Sequence, residues 1–149
     1  MKYMPLEDIK LEAKVSPVLR ETPRTRRRRR LERLATLLER HHGTVNLLSG
    51  IEYTTYSARL RLRADDSPLA LAYSDPLLRQ EGLVGDTLGD AVIFFDLSQG
   101  EAHHLFCDCH YPIPTRSEMV GARARSVAAK LSFREMRERI WRLVAARLW

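Results

Sequence analysis

Hydrophobic and polar positions alternate along the chain in a pattern that predicts successive short amphipathic helices. The first long helix is expected over about residues 26–42, ending at Gly43. Its inward positions recur at helical spacing: Leu31, Leu34, Ala35 and Leu38. The last two helices are expected over about 116–130 and 133–148. The final one carries an apolar seam that consists of Phe133, Met136, Ile140, Leu143, Val144 and Leu148.

Helix starts are marked by the capping box, in which Ser or Thr is followed three residues later by an acid. Each of the two side chains then satisfies a backbone N–H of the other residue. The pattern occurs as TLGD (87–90), SQGE (98–101), TRSE (115–118) and SFRE (132–135). Two further starts are predicted at Pro68, after Asp66 or Ser67, and at Pro76, after Asp75, because proline is favoured at the first helical position.

The stretch SQGEAHHLFCDCHYP (98–112) fits a helix better than a strand. As a helix it places Ala102, Leu105, Phe106 and Cys109 at i, i+3, i+4 and i+7, which is one buried stripe. A strand would give two faces of mixed chemistry. The predicted helix therefore continues through Cys109 and ends before the prolines at 112 and 114.

Two segments have weaker patterns. Residues 44–63 show no clear period; we favour a helix there, while a short β-hairpin or edge strand stays open. Residues 1–20 predict a short helix followed by a break at Ser16–Pro17. The expected fold is mainly all-α, a compact bundle of about five to seven short helices. Residues 1–25 would form an N-terminal extension leading into a basic segment, and residues 26–149 a single helical domain.

Composition is that of a folded globular protein, with 149 residues, of which 44% are hydrophobic and 30% charged. No apolar run is long enough to span a bilayer, and the N-terminus lacks the apolar stretch of a signal peptide. Cys107 and Cys109 are the only two cysteines. A permanent disulfide between them would close a small strained ring, so we expect reduced thiols and a cytoplasmic location.

Positive charge is concentrated near the N-terminus. Residues 1–42 carry 12 basic and 6 acidic side chains, and residues 43–149 carry 13 of each. The excess centres on the arginine segment, RTRRRRR, which contributes Arg24, Arg26, Arg27, Arg28, Arg29 and Arg30. Our first hypothesis is a non-enzymatic binding or regulatory protein whose arginine segment engages nucleic acid or another polyanion. An acidic protein partner, or simply a solvated helix start, is the alternative.

The histidines and cysteines suggest a second hypothesis. On the predicted helix, His103, Cys107 and His110 lie at i, i+4 and i+7, and His104 with Asp108 forms a neighbouring pair. Imidazole and thiolate are ligands that zinc prefers, so this set predicts a zinc or iron site with one coordination position open. The alternative is a core helix with partly exposed histidines and no cofactor, which we favour. No phosphate loop, nucleophile elbow or paired-carboxylate cleft is recognisable, which makes an enzyme the less favoured class.

The C-terminal helix suggests a third hypothesis. Trp141 lies at the edge of its apolar seam, and Trp149 is the last residue of the sequence. Aromatic anchors are enriched at protein interfaces. These two residues therefore predict homodimerisation, or docking onto a protein partner, through the C-terminal helix.

Overall fold

A computed structural model gives the structure of the chain and describes residues 21–130 and 133–148, with 133 and 134 as backbone only. The predicted mainly all-α fold is confirmed. The described residues form eight α-helices: α1 (Pro23–His41), α2 (Tyr56–Arg59), α3 (Pro68–Ser74), α4 (Pro76–Gln80), α5 (Leu88–Phe94), α6 (Gln99–Phe106), α7 (Ser117–Ala129) and α8 (Phe133–Arg147). The expectations for residues 1–20, for the SFRE start at Ser132 and for Trp149 lie outside the described residues.

Helix α1 is central to the fold. Its first turn is capped by Thr22, whose hydroxyl accepts from the Thr25 N–H at 3.2 Å, with Pro23 at the first helical position. The predicted inward positions are fully buried, and α1 packs chiefly along α7. The two backbones approach closely at Gly121, where a Cβ would lie 3.1 Å from the Ala35 carbonyl oxygen. The helix begins at Pro23, three residues before the start that the apolar spacing predicted.

The capping signals for the short helices are largely confirmed. Both halves of the capping box are formed at Thr87 for α5 and at Ser98 for α6. Ser67 caps α3, and its hydroxyl accepts from the Ala70 N–H at 3.0 Å. Asp75 precedes Pro76 as predicted. Its carboxylate binds the guanidinium of Arg33 at 3.0 and 3.1 Å, and the backbone of Leu77 and Leu78 makes a smaller contribution to lowering its pKa.

The predicted cap at Thr115 is wrong, although the helix predicted over about 116–130 is present as α7 (Ser117–Ala129). Thr115 lies in a two-residue strand, β2 (Thr115–Arg116), which pairs antiparallel with β1 (Thr44–Val45). Its hydroxyl donates to the Pro112 carbonyl at 2.9 Å and therefore does not cap α7. The pairing with β1 holds this backbone extended, and α7 begins only at Ser117.

The ambiguous segment 44–63 is mixed in structure. It contains β1, a 3₁₀ turn at Ile51–Tyr53 and the one-turn helix α2, so the helix we favoured is realised over four residues only. Between them Leu48 forms an isolated parallel bridge with Cys107. The segment therefore takes its shape from partners distant in sequence, which explains its weak local pattern.

Helix α6 is shorter than predicted. It ends at Phe106, because Leu48 donates its N–H to the Phe106 carbonyl and accepts from the Asp108 N–H, both at 2.9 Å. Cys107 between them is extended and fully buried, and a separate 3₁₀ turn follows at Asp108–His110. Cys109 is exposed, so its predicted place in the core stripe is wrong.

The apolar positions of α8 from Met136 onward lie at the surface. Every side chain from Met136 to Leu148 is exposed, and Trp141 retains 67% of its surface. None of the helices in the described ranges combines the length and apolar character needed to cross a membrane. The interface that we predicted for α8 thus stays a prediction.

Candidate metal centre

Four side chains with metal-ligating atoms converge where the 3₁₀ turn Ile51–Tyr53 meets the end of α6. Their candidate ligand atoms all lie within 4.8 Å of one another and belong to Glu52, His103, Cys107 and Cys109. Ile51 is buried and holds the turn against the core, and Gly50 enters it with a left-handed φ of 71°. The Leu48–Cys107 bridge joins the two chain segments. Tertiary pairing therefore places Glu52 beside the end of α6.

The contacts are centred on one carboxylate oxygen. Glu52 Oε1 lies 2.8 Å from His103 Nε2, 3.4 Å from Cys109 Sγ and 3.8 Å from Cys107 Sγ. The two sulfurs are 3.1 Å apart, and Cys109 Sγ lies 3.8 Å from His103 Nε2. The cluster is thus a compact group of one carboxylate, one imidazole and two thiols.

The pKa values of the Glu52 carboxyl and the Cys107 thiol are shifted in opposite directions. The hydrogen bond from His103 is the main reason why the pKa of Glu52 falls to about 2, so this carboxyl is ionised at neutral pH. Burial raises the pKa of the Cys107 thiol to about 12. A bound cation would reverse that effect, because a metal deprotonates a coordinating thiol.

A second layer of side chains surrounds the candidate ligands. His110 Nε2 lies 2.8 Å from His103 Nδ1. Ligation through His103 Nε2 requires the ring proton on Nδ1, and His110 would then accept it, as outer partners of metal-binding histidines commonly do. Arg123 donates to the carbonyls of His104 and His110 at 3.1 and 3.2 Å, which holds the turn after α6 in place.

The donor set fits zinc. At tetrahedral angles, with Zn–S distances of about 2.3 Å and Zn–N or Zn–O distances of about 2.0–2.2 Å, ligand atoms are roughly 3.3–3.8 Å apart. The five contacts given above run from 2.8 to 3.8 Å, and the sixth pair, Cys107 Sγ and His103 Nε2, is within 4.8 Å. To reach tetrahedral geometry, the two sulfurs would have to separate by roughly 0.7 Å, and Glu52 Oε1 and His103 Nε2 by roughly 0.5 Å. Two sulfurs, one nitrogen and one oxygen are also within the ligand preferences of zinc.

The structure changes the ligand set that the sequence suggested. It brings His103 and Cys107 together as expected, but not in a helical stack, because α6 ends before Cys107. His110 is an outer partner, and His104 and Asp108 are outside the group. Sequence reasoning missed Glu52, which is 51 positions from His103 and has no local signal, and it assigned Cys109 to the core.

Arg27, in the arginine segment, is buried, with 5% of its surface exposed. Its guanidinium donates to the Asp96 carbonyl at 3.0 Å, to the Val127 and Lys130 carbonyls at 3.4 Å, and to Glu101 at 2.7 Å. These groups belong to the end of α7, to the turn joining α5 to α6 and to the first turn of α6. Arg27 therefore acts inside the fold, where it ties α6, α7 and the turn between α5 and α6 to α1.

Arg29 and Arg30 also form ion pairs within the fold. Arg29 pairs with Glu21 at 2.6 Å and with Glu81. Arg30 pairs with Glu81 at 3.0 Å, donates to the Phe94 carbonyl at 2.8 Å and stacks 4.0 Å from the Phe94 ring centroid. Like-charge repulsion within α1 is thus offset by acids from other parts of the fold.

The remaining arginines of the segment are at the surface. Arg28 is exposed and pairs with Glu32 one turn along α1 at 3.1 Å. Arg24 and Arg26 are exposed and form no ion pair with any residue that the structure describes. These three side chains are exposed and have no ion pair with an acid of another segment that the structure describes, whereas Arg29 is exposed but paired with Glu21 and Glu81.

Comparison of the chain with protein-family models, with curated proteins and with solved structures gave no match. The class of protein is therefore defined by its fold and site alone: a small, mainly α-helical domain with a candidate metal centre.

Proposed function

We propose that this protein is a small metal-binding protein that holds Zn²⁺ through Glu52, His103, Cys107 and Cys109. The observation that carries the proposal is the convergence of four ligand atoms within 4.8 Å of one another, from segments far apart in the chain. A buried thiol next to an ionised carboxylate and an imidazole is the chemistry that a borderline-soft cation would neutralise and satisfy.

A structural role for the metal is favoured by the number of ligands. Four protein ligands close a tetrahedral zinc site, whereas catalytic sites keep one position for water or substrate. The ion would tie the turn at Ile51–Tyr53 to the end of α6, as the Leu48–Cys107 bridge already does by backbone hydrogen bonds. Both thiols must be reduced for this role, which agrees with the cytoplasmic location that we propose.

The first test is elemental analysis of reduced protein purified without chelator, followed by zinc titration of the chelator-treated protein. We expect about one zinc per chain and an affinity that rises with pH, because both thiols release protons on binding. Removing one of four ligands should weaken zinc binding roughly 100-fold or more, since a structural site contributes about 10–16 kcal/mol in total. Glu52→Gln and Cys109→Ser are the informative variants because both side chains are exposed.

Two histidine variants serve as controls. His104→Gln changes a neighbouring exposed imidazole on the same helix and should leave zinc affinity unchanged. His110→Gln removes an outer partner and should cost about tenfold. The proposal fails if reduced protein takes up no zinc. It also fails if Glu52→Gln and Cys109→Ser bind as tightly as the unmodified chain, or if iron is bound in place of zinc.

A further inference from the structure

The two sulfurs of the cluster are positioned to react with each other as well as to bind a metal. We propose that Cys107 and Cys109 form a reversible intrachain disulfide when the protein meets a peroxide, and that this bond empties the metal centre. The effect on the metal rests on the proposed function, whereas formation of the disulfide depends on the thiols alone.

The short distance between the two sulfurs supports formation of the disulfide. The sulfurs are 3.1 Å apart, and a disulfide requires about 2.05 Å, so they must approach by about 1 Å. Cys109 lies in the short 3₁₀ turn Asp108–His110. The two neighbours of Cys107, Phe106 and Asp108, are both hydrogen-bonded to the backbone of Leu48, which fixes Cys107 in place. The movement therefore falls mainly on the turn that carries Cys109.

Exposure determines which sulfur meets the oxidant. Cys109 is exposed and Cys107 is fully buried, so a peroxide in solution reaches Cys109 first. The Cys109 thiol gives up its proton as its sulfur attacks one peroxide oxygen. The O–O bond breaks, the leaving oxygen takes that proton, and the products are a sulfenic acid and one water or alcohol. The Cys107 sulfur then attacks the Cys109 sulfur, and the S–O bond breaks. The leaving hydroxide takes the Cys107 proton to form water. The two thiols lose two electrons in total, which reduce the peroxide.

The same geometry makes the bond reversible. A ring closed across one intervening residue is strained, and strained or exposed disulfides have higher reduction potentials than structural ones. Thiol reductants should therefore reopen it. While it is closed, both sulfurs are unavailable as thiolates. Only Glu52 and His103 of the four ligands remain, which is too few to retain zinc.

The test uses the full chain, reduced and treated with chelator, and then exposed to hydrogen peroxide. Since the sequence has two cysteines, a monomer that has lost two hydrogens contains the Cys107–Cys109 bond. We expect the intact mass to fall by about 2 Da and to return with dithiothreitol.

Cys107→Ser should accumulate a dimedone-reactive sulfenic acid at Cys109. In Cys109→Ser, the buried Cys107 should stay a free thiol. Because Cys109→Ser changes an exposed side chain, it keeps the test meaningful if Cys107→Ser does not fold.

A zinc-loaded sample tests the effect on the metal, with released zinc measured by a chelating dye as the disulfide forms. Glu52→Gln separates the two proposals, because it should weaken zinc binding and leave disulfide formation intact. Reduced protein that binds no zinc contradicts the proposed function. An unchanged mass, disulfide-linked dimers on a non-reducing gel, or Cys109 oxidised to sulfinic acid with Cys107 still free would each overturn the disulfide. Zinc retained after the bond has formed would overturn its effect on the metal.

Discussion

At the scale of single residues, Arg27 shows how tertiary structure can assign an unexpected role to a charged side chain. The sequence groups it with five other arginines as a polyanion ligand. In the fold it is buried and donates to three carbonyls and to Glu101. Two of those carbonyls lie at the end of α7, where orphan backbone acceptors favour a cation.

Replacing Arg27 by glutamine should destabilise the protein by about 2–4 kcal/mol, because a shorter neutral side chain leaves buried acceptors and Glu101 without their donor. Arg28→Gln is the matched control, since its ion pair with Glu32 is exposed and should contribute less than about 0.5 kcal/mol. Urea denaturation followed by circular dichroism measures both. Equal midpoints for the two variants would contradict the structural role of Arg27.

At the scale of elements, the start of α5 depends on contact with a distant segment as well as on its cap. The N–H groups of Leu88 and Gly89 donate to the Leu62 and Leu60 carbonyls, both at 2.9 Å. A Cβ on Gly89 would lie 2.8 Å from the Leu60 carbonyl oxygen. Gly89 is therefore needed for the close approach of the two backbones.

Gly89→Ala should lower the free energy of unfolding by roughly 1–3 kcal/mol, because the clash involves backbone and cannot be relieved by a rotamer change. Gly100→Ala, in the first turn of α6, has no atom within 4 Å of its Cβ and should be neutral or stabilise by up to about 0.5 kcal/mol. Thermal unfolding of the two variants measures both changes in stability. A Gly89→Ala variant as stable as Gly100→Ala would show that α5 is not packed this closely.

Helix α8 differs from the long helices α1 and α7 because its apolar side chains from Met136 onward are exposed, whereas most of those of α1 and α7 are buried. Its residues from Met136 to Leu148 are exposed throughout. Homodimerisation or docking of a partner through Trp141 remains a prediction, and Trp149 lies outside the described residues.

At the scale of the whole molecule, the positive charge is partly neutralised within the fold. Arg27, Arg29 and Arg30 of the arginine segment, together with Arg33, pair with acids of other segments. Polyanion binding therefore stays a prediction that depends mainly on Arg24, Arg26 and Arg28.

If those three arginines bind nucleic acid, binding should weaken steeply with salt, because each neutralised phosphate releases counterions. Replacing all three by glutamine should then reduce the logarithmic salt slope by up to about 3. Fluorescence anisotropy with labelled DNA and RNA measures this. Arg61, Arg79 and Arg137, which are exposed elsewhere, provide a control triple of equal charge change. The hypothesis is contradicted if the protein does not bind nucleic acid or if binding does not change with salt. It is also contradicted if the two triple variants lose binding equally.

The sequence by itself determined the local part of this structure. Capping residues and helical spacing predicted α1, α3, α4, α5 and α7 closely, because the hydrogen bonds and buried stripes of a helix join residues three or four positions apart. The same reasoning failed at Thr115 and after Phe106, where a strand partner or Leu48 supplies the backbone hydrogen bonds instead. Glu52 lies outside any local pattern, since only folding brings it to His103. Local spacing could therefore suggest His103 and Cys107 as candidate metal ligands, but the candidate set that includes Glu52 depends on tertiary contacts between distant segments.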